Sequence, residues 1–132
     1  MTDNKKFGTS EDWWDIDLRY DYPLTSDSIV LDLGGYDGIF ATEIHKKYNC
    51  NVYSFEPVPF LYEKCLNEFK HYSKIKLYNQ VLGNESKYVD FYIAGDATSM
   101  FIGTVLGGLH IEMIPIDKFM SEHNMQTVDL LK

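Results

Sequence analysis

A glycine-bearing segment directly after a short apolar run is the feature that most constrains this chain. Residues 29–33 read Ile-Val-Leu-Asp-Leu, and residues 34–38 read Gly-Gly-Tyr-Asp-Gly. A β-branched run that stops at glycines is typical of a buried strand ending in a turn. Glycines in such a turn let a ligand approach the backbone closely. We therefore expect a strand and a ligand-contacting turn, with Gly34 and Gly35 as its leading contact residues.

Apolar periodicity alternates between strand and helix after this turn. Alternating or β-branched runs occupy residues 29–33, 51–55 and 74–79, the last continuing towards Val81, and an amphipathic helical pattern follows each of the first two. Strand, helix, strand, helix, strand requires parallel pairing with right-handed crossovers. The sequence predicts an α/β fold with a Rossmann-like, doubly wound, mostly parallel sheet.

The last third of the sequence is less regular. Residues 88–93 and 111–116 are predicted to be extended, residues 95–99 to form a polar loop, and residues 117–123 a short helix. Residues 128–131 resemble the opening of another buried strand. Because the sequence stops within that strand, we expect an incomplete domain with its C-terminal strands missing. An exposed last strand invites self-association.

A chain of 132 residues has room for one hydrophobic core. Residues 1–27 are expected to form a mobile N-terminus and a segment, containing Trp13 and Tyr20, that leads into the core. Residues 28–132 are expected to form the Rossmann-like domain.

Composition and charge exclude several classes of protein. The formal net charge is −8, with no basic stripe, so nucleic acid is not an expected partner. No run approaches the roughly 18 apolar residues of a membrane span, and no signal peptide is recognisable, so we expect a cytoplasmic protein without a membrane partner. Neither the two cysteines nor the four histidines have metal-binding spacing, so no metal site is expected.

The glycine turn discriminates between two cofactors. The dinucleotide pattern GxGxxG requires glycine at positions 34, 36 and 39, where the sequence has Gly34, Tyr36 and Ile39. Asp32, Gly34 and Gly38 instead satisfy the pattern of S-adenosylmethionine-binding methyltransferases, an acidic residue followed by glycines two and six positions later. S-adenosylmethionine has no pyrophosphate and demands less of the helix N-terminus.

Residues after the second and third strands extend this cofactor hypothesis. Glu56 follows the second strand, where a carboxylate can accept hydrogen bonds from both ribose hydroxyls. The alternative is a solvated acid that complements the dipole of the next helix. Gln80 and Val81 follow the third strand and are candidates for contacting the adenine ring. Asp37 is either a further site residue or a plain acid at the start of a helix.

These motifs resemble those of FkbM-like S-adenosylmethionine-dependent methyltransferases, from about Ile29 to Lys132. The resemblance is distributed over five segments. They are Val30–Gly38, Ser54–Pro59, Val81–Asn84, Gly95–Ser99, and Ile116–Phe119 leading to Val128–Lys132.

The resemblance implies cofactor contacts at Asp32, Gly34, Gly35, Tyr36 and Gly38. It also implies methyl transfer to oxygen, with a hydroxyl on a sugar or a secondary metabolite as the small-molecule or glycan acceptor. The family's acidic Glu-Gly segment, which lies near the substrate, is not among residues 1–132, so no catalytic residue is carried over. Two alternatives stay open: a non-catalytic fragment that acts as a binding or self-associating module, and an NAD-dependent oxidoreductase.

Overall fold

The computed structural model describes residues 19–94, 97–101 and 109–132, and in 91–94 and 97–101 it describes the backbone alone. In chain order the elements are β1 (Ile29–Leu33), α1 (Ile39–Tyr48), β2 (Asn51–Phe55), α2 (Pro59–Phe69), β3 (Ile75–Tyr78), β4 (Val81–Gly83), β5 (Lys87–Ala94), β6 (Ala97–Phe101), β7 (Leu109–Pro115), α3 (Ile116–Glu122) and β8 (Leu130–Leu131). None of the helices in these ranges is both long and apolar enough to cross a membrane.

The first sheet is entirely parallel and has the strand order β3-β2-β1-β8. Val30 pairs with Val52 of β2 on one side and with Leu130 of β8 on the other. The chain therefore moves outward from β1 through β2 to β3 and later returns to the opposite side of β1. This order is that of a Rossmann-like sheet, and it confirms the predicted fold class.

Helices cover both faces of this sheet. Val30 and Val52 face α1 and α2 and pack against Ala41, Ile44, Cys65 and Phe69, all buried. The opposite face carries Leu31 and Phe55, which pack beneath Phe119 of α3 and Met125. Burial on both faces explains why β1 reads as a nearly continuous apolar run.

A second, mixed sheet has the order β4-β7-β5-β6. β4 is parallel to β7, whereas β5 is antiparallel to both of its neighbours. Val89 and Met113 are buried in a small apolar cluster on one side. The predicted extended segments at 88–93 and 111–116 correspond to β5 and β7, and the predicted short helix corresponds to α3.

One prediction in this region is wrong. The polar composition of residues 95–99 predicts a loop, but residues 97–101 form β6 because their backbone pairs with β5; residues 95 and 96 lie outside the described ranges. The strand predicted at 74–79 is β3, which ends at Tyr78, and Val81 begins β4 in the other sheet. Asn79 lies between them; with its side-chain amide assigned so that the nitrogen faces the chain before α2, it donates to the carbonyls of Glu56 at 3.2 Å and Pro57 at 3.0 Å.

The segment before β1 is anchored on α1. Tyr20 is buried, and its ring lies 5.7 Å from the ring of Phe40. The Tyr48 hydroxyl donates to the Tyr20 carbonyl at 2.8 Å and accepts the Tyr22 N–H at 2.9 Å. The predictions made for residues 1–18, Trp13 among them, lie outside the described ranges.

The aromatic cluster beneath α3 gives a first prediction. Phe119 is 2% exposed, and its ring lies 5.0 Å from that of Phe55 and 5.3 Å from that of Tyr78. Phe119→Ala is expected to lower the free energy of unfolding by about 3–5 kcal/mol, because it removes buried apolar area and leaves a cavity. Urea denaturation followed by circular dichroism measures this loss.

A matched control lies on α2. Phe60 is 55% exposed, so Phe60→Ala should change the free energy of unfolding by no more than about 0.5 kcal/mol. Equal losses from the two variants would contradict the assignment of Phe119 to the core of the first sheet.

Candidate functional site

The glycine turn is tied to the carboxyl end of β2 by backbone hydrogen bonds. The N–H groups of Gly34 and Gly35 both donate to the Phe55 carbonyl, at 2.8 and 3.0 Å. The turn closes on itself where Gly38 N–H donates to the Gly35 carbonyl at 2.8 Å. Gly34 and Gly38 have φ values of +93° and +83°, which L side chains rarely adopt. Glycine is therefore required at both positions by the backbone.

Gly35 is required for a different reason. A Cβ atom added at this position would lie 2.6 Å from Ser54 Oγ and 3.1 Å from Cys65 Sγ. Both neighbours are fully buried, so neither side chain moves aside freely. The absence of a side chain lets the turn pack directly on β2 and α2. Burial raises the pKa of the Cys65 thiol to about 12, so Cys65 is a packing residue and a hydrogen-bond donor to the Tyr36 carbonyl at 3.2 Å.

Asp32 is a fully buried carboxylate at the carboxyl end of β1. Its Oδ2 accepts the Ser54 hydroxyl at 2.9 Å. Its Oδ1 lies 3.3 Å from Lys132 Nζ, and among the described residues no donor is aligned with this oxygen. Desolvation raises the pKa of Asp32, and the Lys132 ammonium and the Ser54 hydroxyl oppose the rise. Asp32 is thus an acid whose hydrogen-bonding capacity is only partly used.

Glu56 fixes the turn from the other side. Its Oε1 accepts the Tyr36 N–H at 2.8 Å, and its Oε2 accepts the Val58 N–H at 2.9 Å. Desolvation raises the pKa of Glu56, while these two N–H groups lower it. The side chain is 4% exposed, so the alternative of a solvated helix-start acid is wrong. The predicted ribose contact stays a prediction that depends on the lone pairs Glu56 has left.

A cleft of about 340 Å³ lies beside this turn. Its walls come from the N-terminal segment, the glycine turn, the start of α1 and the end of β8. The lining residues are Arg19, Tyr22, Gly35, Tyr36, Asp37, Ile39, Phe40 and Lys132.

The position of the cleft follows from the sheet order. β1 connects outward to β2, whereas β8 arrives on its other side, so β1 and β8 flank the point where the strand order reverses. Loops at the carboxyl ends of two such strands diverge and leave a crevice, which is where open α/β sheets bind ligands. Tyr36 from the β1 loop and Lys132 after β8 both line the cleft, so it occupies this crevice.

The structure brings most of the predicted site residues together. Asp32, Gly34, Gly35, Tyr36, Gly38 and Glu56 form one hydrogen-bonded unit around the turn. Of these six, Gly35 and Tyr36 line the cleft. Asp37 also lines it, while its carboxylate accepts the Ile39 N–H at 3.1 Å at the start of α1, so both interpretations of Asp37 apply.

Gln80 and Val81 are placed differently. Gln80 donates to Glu112 of β7 at 2.7 Å, and Val81 pairs with Met113 and joins the apolar cluster of the second sheet. Their described contacts are therefore with β7 and not with the turn, because the chain changes sheets at Asn79. Their predicted contact with adenine gains no support from this placement.

Five cleft residues have no counterpart among the predicted site residues: Arg19, Tyr22, Ile39, Phe40 and Lys132. The first two precede β1, and Lys132 reaches the site only through the pairing of β8 with β1. Its backbone N–H donates to the Leu31 carbonyl, and its carbonyl accepts the Leu33 N–H, both at 2.9 Å. The sequence does contain one signal for a partner of Asp32, because Ser54 is a polar residue inside a buried strand.

His110 lies on the second sheet. It belongs to β7, where its Nδ1 is 2.9 Å from Asp90 Oδ1 and its ring stacks on Tyr88 at 4.7 Å. Within the described ranges, no group of three or more His, Cys, Asp or Glu side chains is arranged to hold a metal ion.

Comparison with known proteins gives a distant structural similarity. No family model matches the chain, and no curated protein matches it. A solved structure described as the crystal structure of MccD protein is similar with a TM-score of 0.41 and 18% sequence identity, covering 48% of this chain. The similarity covers 29% of that protein, so the chain matches less than a third of its length.

Crowding at Gly35 gives a second prediction. Gly35→Ala should lower the free energy of unfolding by about 1–3 kcal/mol, because the added methyl group overpacks the contact with Ser54. Combining it with Ser54→Ala removes the 2.6 Å contact. The double variant should therefore lose at least about 0.5 kcal/mol less than the sum of the single losses, measured by urea denaturation.

Gly34 provides the matched control for this cycle. A Cβ at Gly34 meets nothing within 4 Å, so Gly34→Ala is costly only through its positive φ. Ser54→Ala should leave that cost unchanged. An additive Gly35 and Ser54 pair would show that crowding is not what selects glycine at position 35.

The raised pKa values of Asp32 and Glu56 give a third prediction. A group with a raised folded pKa contributes stability that is present below its unfolded value, 3.8 for Asp and 4.5 for Glu, and is lost as pH rises through the folded value. Relative to wild type, Asp32→Asn should therefore become progressively more stable as pH rises from about 4.

Urea denaturation of both proteins at intervals between pH 4 and pH 8 measures this difference. Asp27→Asn, at an exposed carboxylate in the turn before β1, is the control for a general change in charge. A difference between wild type and Asp32→Asn that does not vary with pH would contradict a raised pKa at Asp32.

Proposed function

We propose that this chain forms the S-adenosylmethionine-binding region of a methyltransferase. The observation that carries the proposal is the glycine turn at the reversal point between β1 and β8, with a cleft of about 340 Å³ beside it. A volume in this range suits a small-molecule ligand. Both glycines of the Asp-x-Gly-x-x-x-Gly pattern, Gly34 and Gly38, lie where the backbone has positive φ.

The start of α1 favours this cofactor over a dinucleotide. Asp37 presents its carboxylate to the first N–H groups of the helix, accepting that of Ile39 at 3.1 Å. A dinucleotide pyrophosphate would need those N–H groups and would be repelled by the carboxylate. A sulfonium cofactor has neither requirement. The position of the Asp37 carboxylate thus agrees with the sequence, which lacks the glycines that a dinucleotide-binding turn needs at positions 36 and 39.

The residues present fit the proposed cofactor in three respects. Asp32 offers a buried carboxylate oxygen without an aligned donor, Gly35 exposes backbone to the cleft, and the Tyr36 ring is 56% exposed beside it. When bound, the cofactor supplies an activated methyl group. The chain's own residues would hold and orient it, and alignment of donor and acceptor is worth roughly 7–11 kcal/mol when it is good.

The acceptor and the family belong to the same proposal. Their support is the resemblance to FkbM-like enzymes at the turn and at Ser54–Pro59, which implies transfer to a hydroxyl of a sugar or a secondary metabolite. Exposed apolar side chains at the mouth of the cleft, Tyr36 and Ile39, are compatible with an organic acceptor.

A second candidate function is a binding module that associates through its last strand. β8 is the outer strand in the order of the first sheet, and Leu131 is 55% exposed. Among the described residues no strand pairs with the outer edge of β8, and such an edge with an exposed leucine favours pairing with another chain. Sedimentation velocity over a concentration series tests it, and a monomer at every concentration would count against it.

Titration calorimetry with S-adenosylhomocysteine, the demethylated product, tests the cofactor proposal. We expect saturable binding of one molecule per chain, and Tyr36→Ala should weaken it about three- to tenfold by removing a ring that lines the cleft. Tyr88→Ala removes a tyrosine of similar exposure, 60%, on the second sheet and should leave binding unchanged.

Two results of this titration would count against the cofactor proposal. Absence of S-adenosylhomocysteine binding by a chain that unfolds cooperatively would reject the proposal. Binding of NAD in its place would revive the oxidoreductase alternative.

A further inference from the structure

Lys132 holds its ammonium in a position built from three electron-rich groups. Nζ lies 3.3 Å from Asp32 Oδ1, donates to the Gly34 carbonyl at 3.3 Å, and lies 5.0 Å from the centre of the Phe40 ring. A carboxylate, a carbonyl and an aromatic face together form a cation site. The three groups are held in place by β1, the glycine turn and α1, whereas the cation is carried on a flexible stem.

The ammonium is loosely held in this site. Both polar distances exceed the 2.7–2.9 Å typical of charge-assisted hydrogen bonds. Asp32 Oδ1 has no aligned donor among the described residues, although Asp32 is fully buried. The Lys132 side chain itself is 41% exposed and lines the cleft. It can therefore move into the cleft while its backbone stays paired with β1.

We propose that Lys132 is a specificity-determining residue, an internal cation that occupies the ammonium position of the site until the ammonium of an amino-acid-bearing ligand displaces it. The inference rests on the proposed function, because S-adenosylmethionine and its product carry such an ammonium. A compact ligand ammonium can approach Asp32 Oδ1 and the Gly34 carbonyl together, without the restraint of the lysine stem. Displacement makes occupancy of the cleft depend on the ligand's amino-acid portion.

Displacement also keeps the buried charge balanced. Asp32 is neutralised by Lys132 before binding and by the ligand ammonium afterwards, so its carboxylate is never left without a cation. The released Lys132 ammonium returns to solvent at the exposed edge of the cleft. A ligand without an amino-acid portion cannot replace the cation beside Asp32 and should leave the Asp32 and Lys132 pair intact.

Chemical labelling of the wild-type chain tests the exchange directly. Two probes are compared, S-adenosylhomocysteine and 5′-methylthioadenosine, which lacks the amino-acid portion. Acetylation by acetic anhydride, quantified by mass spectrometry, reports access to each lysine amine. Lys132 labelling should rise about two- to fivefold with S-adenosylhomocysteine and stay constant with methylthioadenosine, and Lys47, on the surface of α1, is the internal reference.

Affinity provides a second, independent readout. Lys132→Met removes the competing cation, so it should tighten S-adenosylhomocysteine binding about two- to fivefold relative to methylthioadenosine binding. Lys132→Arg keeps a cation and should preserve the wild-type preference between the probes. The labelling experiment needs no variant, so the inference is tested even where Lys132→Met fails to fold.

The outcomes separate this inference from the function on which it rests. Lower Lys132 labelling with S-adenosylhomocysteine, or weaker binding of it by Lys132→Met, would show a lysine that clamps the ligand and would overturn the displacement. Binding of both probes with unchanged Lys132 labelling would overturn the inference and leave the cofactor proposal standing. Failure of both probes to bind would overturn both the displacement inference and the cofactor proposal.

Discussion

The closure of the glycine turn on the carboxyl end of β2 is the constraint on which the rest of the site depends. One carbonyl, that of Phe55, accepts two N–H groups from the turn, and the Glu56 carboxylate accepts a third. These bonds satisfy backbone donors that would otherwise be buried without partners. They also set the direction in which α1 leaves the sheet, and with it one wall of the cleft.

Two buried acids surround this closure and are compensated in different ways. Glu56 receives a backbone N–H on each oxygen, so its charge is distributed over fixed dipoles of the turn and of the chain leading into α2. Asp32 receives one hydroxyl and one distant ammonium. Both pKa values are raised because desolvation is the largest effect at each. Because its two oxygens bind two backbone segments, Glu56 holds the turn and the start of α2 together. Asp32 has fewer partners and can accept another hydrogen bond.

The elements that depend on local sequence were predictable. β1, the turn and α1 follow from a β-branched run, three glycines and a helical period, all of which act over a few residues. The pairing of the second sheet was not predictable, because it joins strands that are distant in sequence, although β5 and β7 were predicted as extended segments. The polar residues 95–99 resemble a loop, and only pairing with β5 makes residues 97–101 a strand. Gln80 was assigned to the site because it follows the third strand, whereas the chain changes sheets after Asn79.

The site residues likewise divide into those that local sequence reveals and those that only the fold brings together. Gly34 and Gly38 are recognisable from spacing because φ values of +93° and +83° strongly favour glycine. Lys132 is a hundred positions from Asp32 in the sequence, and the two meet only because β8 returns beside β1. Local patterns do not encode such a return. The acid was therefore found from the sequence, and the cation beside it was found from the fold.

The hydroxyl of Tyr48 has a consequence for the opposite wall of the cleft. Arg19 and Tyr22 line that wall, and this phenol ties their backbone to α1, as donor to Tyr20 and acceptor from Tyr22. Tyr48 is the last residue of α1, about 13.5 Å along the helix from its first residue. The same helix thus begins at the glycine turn on one side of the cleft and tethers the other side from its far end. Because α1 positions both walls, it determines the width of the cleft.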